Sequence, residues 1–466
     1  MDRRNFLFSA ALGAGGFAFG GLMRRAEIFA RTGDLQSLRA AGFGEIAPTA
    51  TKNTGETFLS LPKGFEYNVL GKAGSVMGDG RKTPRAHDGM AAFKVGSELR
   101  IVRNHEVSDR TPREGAAIGA GNSYDEAAGG GTTTLVINPQ THEIVRDFVS
   151  LSGTMTNCAG GVTPWGSWIS CEETTLGQTK FTRNNREYGG FAKPHGYCFE
   201  VQASANNNLP PIPLKAMGRF EHEAVAVDKK TGIVYLTEDS SPAGFYRFLP
   251  KRNKRLAEGG TLQILTVRDK PDFDTRTGQK PGTHLGVSWL TIDNPDPDEA
   301  DTDSLAVFKQ GAAKGAAKFA RLEGCFADDK GRIYFTSTSG GDKKGGQIWL
   351  YERTTRDEGR LTLLFESPDR SVLDMPDNIC LHPKSNLLFV CEDSDYIGLG
   401  GTRDNFLRIL TPDGKIADFA KNITPGFEAS ELAGSTFSKD GKTLFVNLQT
   451  AGVTLAIWGN FQNFKL

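Results

Sequence analysis

One pattern occurs six times in this chain, and it limits the fold more tightly than any other feature. Short segments rich in β-branched and aromatic residues recur at Ile101–Glu106 (IVRNHE), Trp168–Glu173 (WISCEE), Val234–Asp239 (VYLTED), Ile333–Thr338 (IYFTST), Leu388–Asp393 (LFVCED) and Leu444–Gln449 (LFVNLQ). Such residues favour extended strands, and most copies follow a turn signal such as KKTG, DDKG, HPKSN or SKDG. Eleven to fifteen residues upstream of each strand lies a second recurring element: Ala86–Met90, Asn157–Gly161, Glu221–Ala224, Arg321–Gly324, Met375–Asn378 and Ser430–Gly434. A unit this small cannot bury its apolar face alone and must stack against copies of itself. Six strand–turn–strand units therefore predict an all-β fold, a six-bladed β-propeller. At about 40 to 50 residues per blade, six blades use roughly 240 to 300 residues. The rest of the 466 is expected in decorating insertions, chiefly Pro250–Lys318 and Thr174–Pro213. No linker divides the chain, so one propeller domain is expected over residues 55–466; a seventh, unrecognised blade or a sandwich is the alternative.

Composition agrees with this reading. Glycine supplies 56 of the 466 residues, well above the usual share of about 7%, and is spread along the chain as many tight turns require. Lys and Arg number 55 and Asp and Glu also 55, a balance that excludes a dedicated nucleic-acid binder, which carries a basic excess.

Residues 1–30 stand apart from the repeats. Arg3 and Arg4 precede Phe6 and Leu7, and a weakly apolar Gly/Ala-rich run continues to Met23. A charged start with a short apolar stretch reads as an export signal and is too short for a membrane span. Arg-Arg-x-Phe-Leu resembles the twin-arginine signal, whose pathway carries folded proteins. The expectation is a periplasmic or secreted monomer with no membrane anchor after cleavage, able to leave the cytoplasm with a metal already inserted.

In a propeller, equivalent positions of the blades converge on the central channel, so a repeated residue becomes a ring. The upstream elements place Asp88, Cys158, Glu221 with Glu223, Glu323, Asp377 and Glu431 at nearly equivalent positions. The strand ends add Glu106, Glu172 with Glu173, Glu238 with Asp239, and Glu392 with Asp393. So many carboxylates cannot remain ionised together without compensation, and several cations supply it most simply. Carboxylate and amide oxygens such as those of Asp377 and Asn378 suit calcium. Cys158, at a position held by carboxylates in other blades, favours a softer ion such as iron or zinc. Taken singly, each of these acids reads as a rim turn or a surface ion pair; their recurrence carries the metal reading.

Arg321 lies two residues before Glu323, which in an extended strand puts both side chains on one face. A guanidinium there could grip a phosphate or carboxylate, or simply neutralise the acidic ring, and the residues alone leave both open. Cys171, Cys325, Cys380 and Cys391 read as small buried apolar residues, although six cysteines in an exported chain could still pair; the absence of Cys-x-x-Cys excludes a zinc ribbon or thioredoxin-like site. His105 and His222 read as packed or hydrogen-bonding residues rather than ligands. Gly13–Gly16 and Gly129–Gly131 lack the context of a phosphate loop.

Asn157–Glu173 (NCAGGVTPWGSWISCEE), with HDGM, NHE, GRFEHEA, YLTED, GFYRF, RLEG and MPDNI in order, resembles the PhoX family of alkaline phosphatases from about residue 60 to the C-terminus. The resemblance implies an exported phosphomonoesterase acting on small phosphate esters, with Fe3+ and Ca2+ clustered at the channel mouth. It assigns Cys158 to iron and Arg321 to the phosphate. Glu106, Glu173, Glu221, Glu223, Glu323, Asp377 and Glu431 fall in segments similar to its ligand-bearing ones. The implied chemistry is hydrolysis by a metal-activated oxygen nucleophile, with no serine nucleophile and no G-x-S-x-G elbow. The rival readings are a calcium-dependent lactonase or esterase on a six-bladed propeller, and a propeller that binds without catalysing.

Overall fold

The computed structural model describes residues 22–25, 27–29, 32–108, 115–394 and 404–465. The Arg3–Leu7 signal pattern lies outside them. Six strands line a central channel: His87–Val95, Asn157–Val162, His222–Val227, Leu322–Ala327, Pro376–Leu381 and Leu432–Phe437. Each packs against the next, and the sixth packs back on the first, so the ring is closed. The six upstream elements of the sequence start these inner strands. The six strand segments form the second strand of each blade, antiparallel to the first. The protein is a six-bladed β-propeller.

The apolar core is divided as the repeats require. Each of six buried clusters fills one blade–blade interface. Phe93, Trp168 and Phe199 lie between blades 1 and 2; Ile169, Val225 and Phe248 lie between 2 and 3. Tyr235, Phe335 and Trp349 lie between 3 and 4, and Ile348, Leu381 and Val390 between 4 and 5. Phe389, Phe419 and Phe437 lie between 5 and 6, and Met90, Ile101 and Phe445 between 6 and 1. No blade can be removed without exposing two such interfaces, which makes the ring cooperative. It is closed by exchange: Glu66–Lys72, from before blade 1, pairs with Val453–Trp458 as the outer strand of blade 6. Blade 5 is extended by Thr57–Pro62 and Ile46–Ala50.

The two expected insertions are corrected by the structure. Thr174–Pro213 contains Cys198–Gln202, the third and outermost strand of blade 2. Pro250–Lys318 contains Gly260–Val267, the fourth strand of blade 3, and His284–Thr291, which pairs with it and with Glu358–Glu366. Blades 3 and 4 thereby join into one nine-stranded sheet. Prolines and charges in this stretch sit in the turns and hide the strands between them. Among the described residues, no helix is long and apolar enough to cross a membrane.

Candidate metal centre

Every inner strand opens with the same irregularity. Its register slips within the first few residues: His87/Met90, Asn157/Gly160, His222/Val225, Leu322/Cys325, Pro376/Ile379 and Ala433/Thr436. A bulge sets two residues against one and re-aims the side chains it contains. In blades 1 to 5 the second residue of the strand sits in that bulge: Asp88, Cys158, Glu223, Glu323 and Asp377. In blade 6 the second residue is Ala433, which pairs with Asn447, and the slip comes one residue later. The third residue passes close to the neighbouring blade: a Cβ on Gly324 would stand 2.5 Å from the Asp377 carbonyl oxygen. At Gly324 nothing larger than hydrogen fits without moving the adjacent inner strand.

Two further positions repeat around the mouth. The residue before each inner strand is Ala86, Thr156, Glu221, Arg321, Met375 or Glu431. Its carbonyl accepts the backbone N–H of the residue just past the second strand: Glu106, Glu173, Asp239, Thr338, Asp393 or Gln449, respectively. The six bonds measure 2.8 to 3.3 Å. Four of the leading residues hold left-handed backbone, Ala86, Thr156, Arg321 and Met375, with φ from 46° to 50°. For non-glycine residues such strain costs about 1–3 kcal/mol each and persists where the surroundings over-determine it. Arg321 is therefore not in an extended strand as expected, although its side chain does meet that of Glu323.

This framework brings most of the expected ligands together. Asp88, Glu106 and Cys158 offer ligand atoms all within 4.8 Å of one another; so do Cys158, Glu173 and Glu223, and so do Glu223, Glu323 and Asp377. Cys158 and Glu223 are each shared, so the three groups form one continuous run. Glu221 and Glu431 stand outside these groups because they precede the bulge. Glu431 was expected at the position Asp377 holds in blade 5, but the register gives that place in blade 6 to Ala433. Asp88 was in the repeat but outside the expected ligand set; its place in HDGM, matching Cys158 in NCAGG, was the available signal.

Electrostatics set the demand for cations. Burial first, then neighbouring acids, push the carboxyls of Asp88, Glu173, Glu223, Glu323, Asp377 and Glu431 well above the usual range. Burial and Asp393 raise Glu106 to about 7, and burial and Asp239 raise Glu221 to about 7. Burial, with Asp88 and Glu223, also pushes the Cys158 thiol up. Apart from the adjacent Cys158 thiol, neither buried oxygen of Glu223 finds a hydrogen-bond partner among the described residues. An orphaned carboxylate between a thiol and further acids fits bound cations, which would hold these groups deprotonated.

Arg321 faces the same acids. Its Nε donates to Asp239 Oδ1 at 3.0 Å, and its Nη2 donates to Asp239 Oδ2 at 2.9 Å and to Glu323 Oε1 at 2.8 Å. Burial opposes its charge, but Glu323 and Asp239 outweigh that and keep the guanidinium protonated. About 20% of the side chain is open to solvent, so a fixed positive charge stands at the edge of the acidic ring.

Other residues singled out in the sequence lie away from the channel. His105 bonds the Arg85 carbonyl and Thr133, and His222 bonds the Gly218 carbonyl. All six cysteines are free and buried. Cys325 packs in the blade 3–4 cluster, and Cys380 and Cys391 in the blade 5–6 cluster.

Residues 41–452 match the family described as alkaline phosphatase PhoX. The chain belongs to the PhoX family. It is accordingly a phosphomonoesterase of the alkaline phosphatase type. Among solved structures, Pseudomonas fluorescens PhoX in complex with vanadate, a transition state analogue, is 20% identical, with a TM-score of 0.66, covering 91% of this chain and 98% of that one. This PhoX-family chain thus shares that fold. A gluconolactonase from Xanthomonas campestris aligns at 11% identity over 89% of this chain and 98% of that one, but its TM-score of 0.41 carries no argument. No curated protein matches the chain in a sequence comparison.

Proposed function

We propose that this chain hydrolyses small phosphate monoesters with iron and calcium ions held at the propeller mouth. Asp88, Glu106, Cys158, Glu173, Glu223, Glu323 and Asp377 would be the principal ligands, with Glu221 and Glu431 at the rim, and Arg321 would grip the phosphate. The observation that carries this reading is the run of three donor groups joined through Cys158 and Glu223. A thiolate in the first two groups favours iron there, while the all-carboxylate third group suits calcium. Bound there, the ions would polarise phosphoryl oxygens and activate the attacking nucleophile at neutral pH.

The chain's own residues do the rest. Asp239 holds the Arg321 fork in one orientation, so its charge meets the negative charge that grows on a transferring phosphoryl group with little reorganisation. Cys158, Glu323 and Asp377 are less than a tenth exposed, which keeps bulk water from weakening these interactions. The Arg3–Arg4 signal pattern supports export of the folded, metal-loaded chain.

Elemental mass spectrometry on protein purified with its metals, beside a chromogenic phosphate ester assay, tests the proposal. Iron and calcium should both be present, and a chelator should abolish hydrolysis. Calcium alone, or phosphatase activity indifferent to chelation, overturns it.

A further inference from the structure

Cys171 and Cys198 stand directly opposite each other on the second and third strands of blade 2. The backbone bond pattern shows what kind of pair this is. The Glu172 N–H donates to the Tyr197 carbonyl, and the Ala203 N–H donates to the Gly166 carbonyl. Bonded and non-bonded pairs alternate along an antiparallel ladder, so Cys171 and Cys198 form a non-hydrogen-bonded pair. Such pairs bring Cα atoms to about 4.5 Å, with side chains close together. That separation lies inside the range of about 4.4–6.8 Å spanned by disulfides. The two sulfurs are 3.6 Å apart, and neither residue has solvent exposure.

A third group completes the arrangement. His222 Nε2 lies 3.0 Å from the Gly218 carbonyl, which only accepts, so Nε2 carries the ring proton. Nδ1 then accepts from the Cys198 thiol at 3.5 Å. None of the other four cysteines has another cysteine opposite it in a strand pair.

We propose that Cys171 and Cys198 are a reversible dithiol–disulfide couple built into blade 2. With a low-molecular-weight disulfide as oxidant, the Cys198 sulfur attacks one oxidant sulfur, forming a mixed disulfide and releasing one thiol. The Cys171 sulfur then attacks the Cys198 sulfur, closing the protein disulfide and releasing the second thiol. The two protein protons leave on the released thiols, so two protein thiols are oxidised and one oxidant disulfide is reduced. Both sulfurs are buried in the blade 2–3 core, so the oxidant reaches them when the edge parts: Cys198 lies on the outermost strand of blade 2, which is held on its outer side by short contacts at Pro213 and Leu214. The bond would tie together the two roots of the segment that leaves the second strand at Glu173 and returns at Cys198, bracing a channel-mouth carboxylate from behind.

The test uses the full, metal-loaded chain incubated with oxidised glutathione, then alkylated, digested without reduction and analysed by mass spectrometry. The peptides bearing Cys171 and Cys198 should appear linked, two hydrogens lighter than their sum, and separate with dithiothreitol. The link should be missing from Cys198→Ala. Recovery of both wild-type thiols alkylated, either one carrying glutathione as the end product, or linkage to a different cysteine overturns the proposal.

Discussion

Adjacent carboxylates in blades 2, 3 and 5 have opposite surroundings. Glu172, Glu238 and Glu392 end their second strands and turn into the blades. Glu172 accepts from the backbone N–H groups of Met155, Gly196 and Tyr197 and from His195. Glu238 accepts from Gly244 N–H and the Tyr246 hydroxyl. Glu392 accepts from Asp374 and Phe406 N–H groups and from Arg408. One residue later, Glu173, Asp239 and Asp393 join the mouth. Strand alternation sends neighbours to opposite faces, so one acid of each pair becomes a latch for its blade's loops and the other joins the acidic mouth. The latch acids each accept from fixed protein donors, four at Glu172 and fewer at Glu238, whose Oε1 finds no partner among the described residues; the mouth acids crowd one another and call for cations.

The largest break in this comparison is on the mouth side. Arg321→Ala should lower kcat by about 100- to 1,000-fold while leaving bound metal in place, as expected for losing one positioned charge at a reacting group. Arg321→Lys should recover little, because a single ammonium cannot reproduce the two-point grip on Asp239. Cys158→Ala should cost activity on a similar scale with selective loss of iron, read by elemental analysis beside the assay; equal retention of iron would remove Cys158 from the metal centre.

On the latch side the effect should move to stability. Glu172→Gln keeps the shape but sets an amide NH2 where the carboxylate accepts four donors, leaving buried N–H groups unpaired. It should destabilise folding by about 2–4 kcal/mol, measured by denaturant unfolding, with a far smaller change in kcat. A variant as stable as the parent but inactive would mean that Glu172 belongs to the mouth after all.

How far the sequence reveals this division can be judged from particular residues. The second strands were legible because their β-branched composition repeats, and the inner-strand starts because their acids do. The register was not legible: Glu431 looks equivalent to Asp377 by counting, yet the pairing puts Ala433 there and leaves Glu431 just before its inner strand, the position that Glu221 and Arg321 hold in blades 3 and 4. Register is set by pairing with a neighbouring strand, and residue spacing along one segment does not carry it. For the same reason Glu172 and Glu173 are indistinguishable in WISCEE. Gly260–Val267 was hidden differently: its residues favour a strand, but GTLQILTV is not a copy of the repeated segment, and charge and proline flank it.

The smallest and most discriminating effect is in pH dependence. In the metal-free protein, Glu106 and Glu221 sit at about 7, raised above their ordinary value by burial and neighbouring acids. A carboxyl raised in the folded state contributes stability that is fully present below its unfolded value, about 4.3, and lost as pH rises through the folded value. Metal-free protein should therefore lose stability between about pH 4.5 and pH 7, and restoring the ions should reduce that slope, because cations favour the deprotonated forms; the part due to Glu238 and Glu392, which burial raises to about 8 and about 7, should remain. The latch side gives a second window. Burial works against charge on His195, but Glu172 with Asp125 outweighs it and raises His195 to about 9. Its contribution is present below about 6.5 and lost as pH rises through about 9, whether or not metal is bound. Unfolding followed across pH with and without chelator should show a slope up to about pH 7 that metal reduces, and a slope toward pH 9 that metal leaves unchanged. Identical curves would mean that the mouth acids are neutralised by the protein itself, in the same way as the latches.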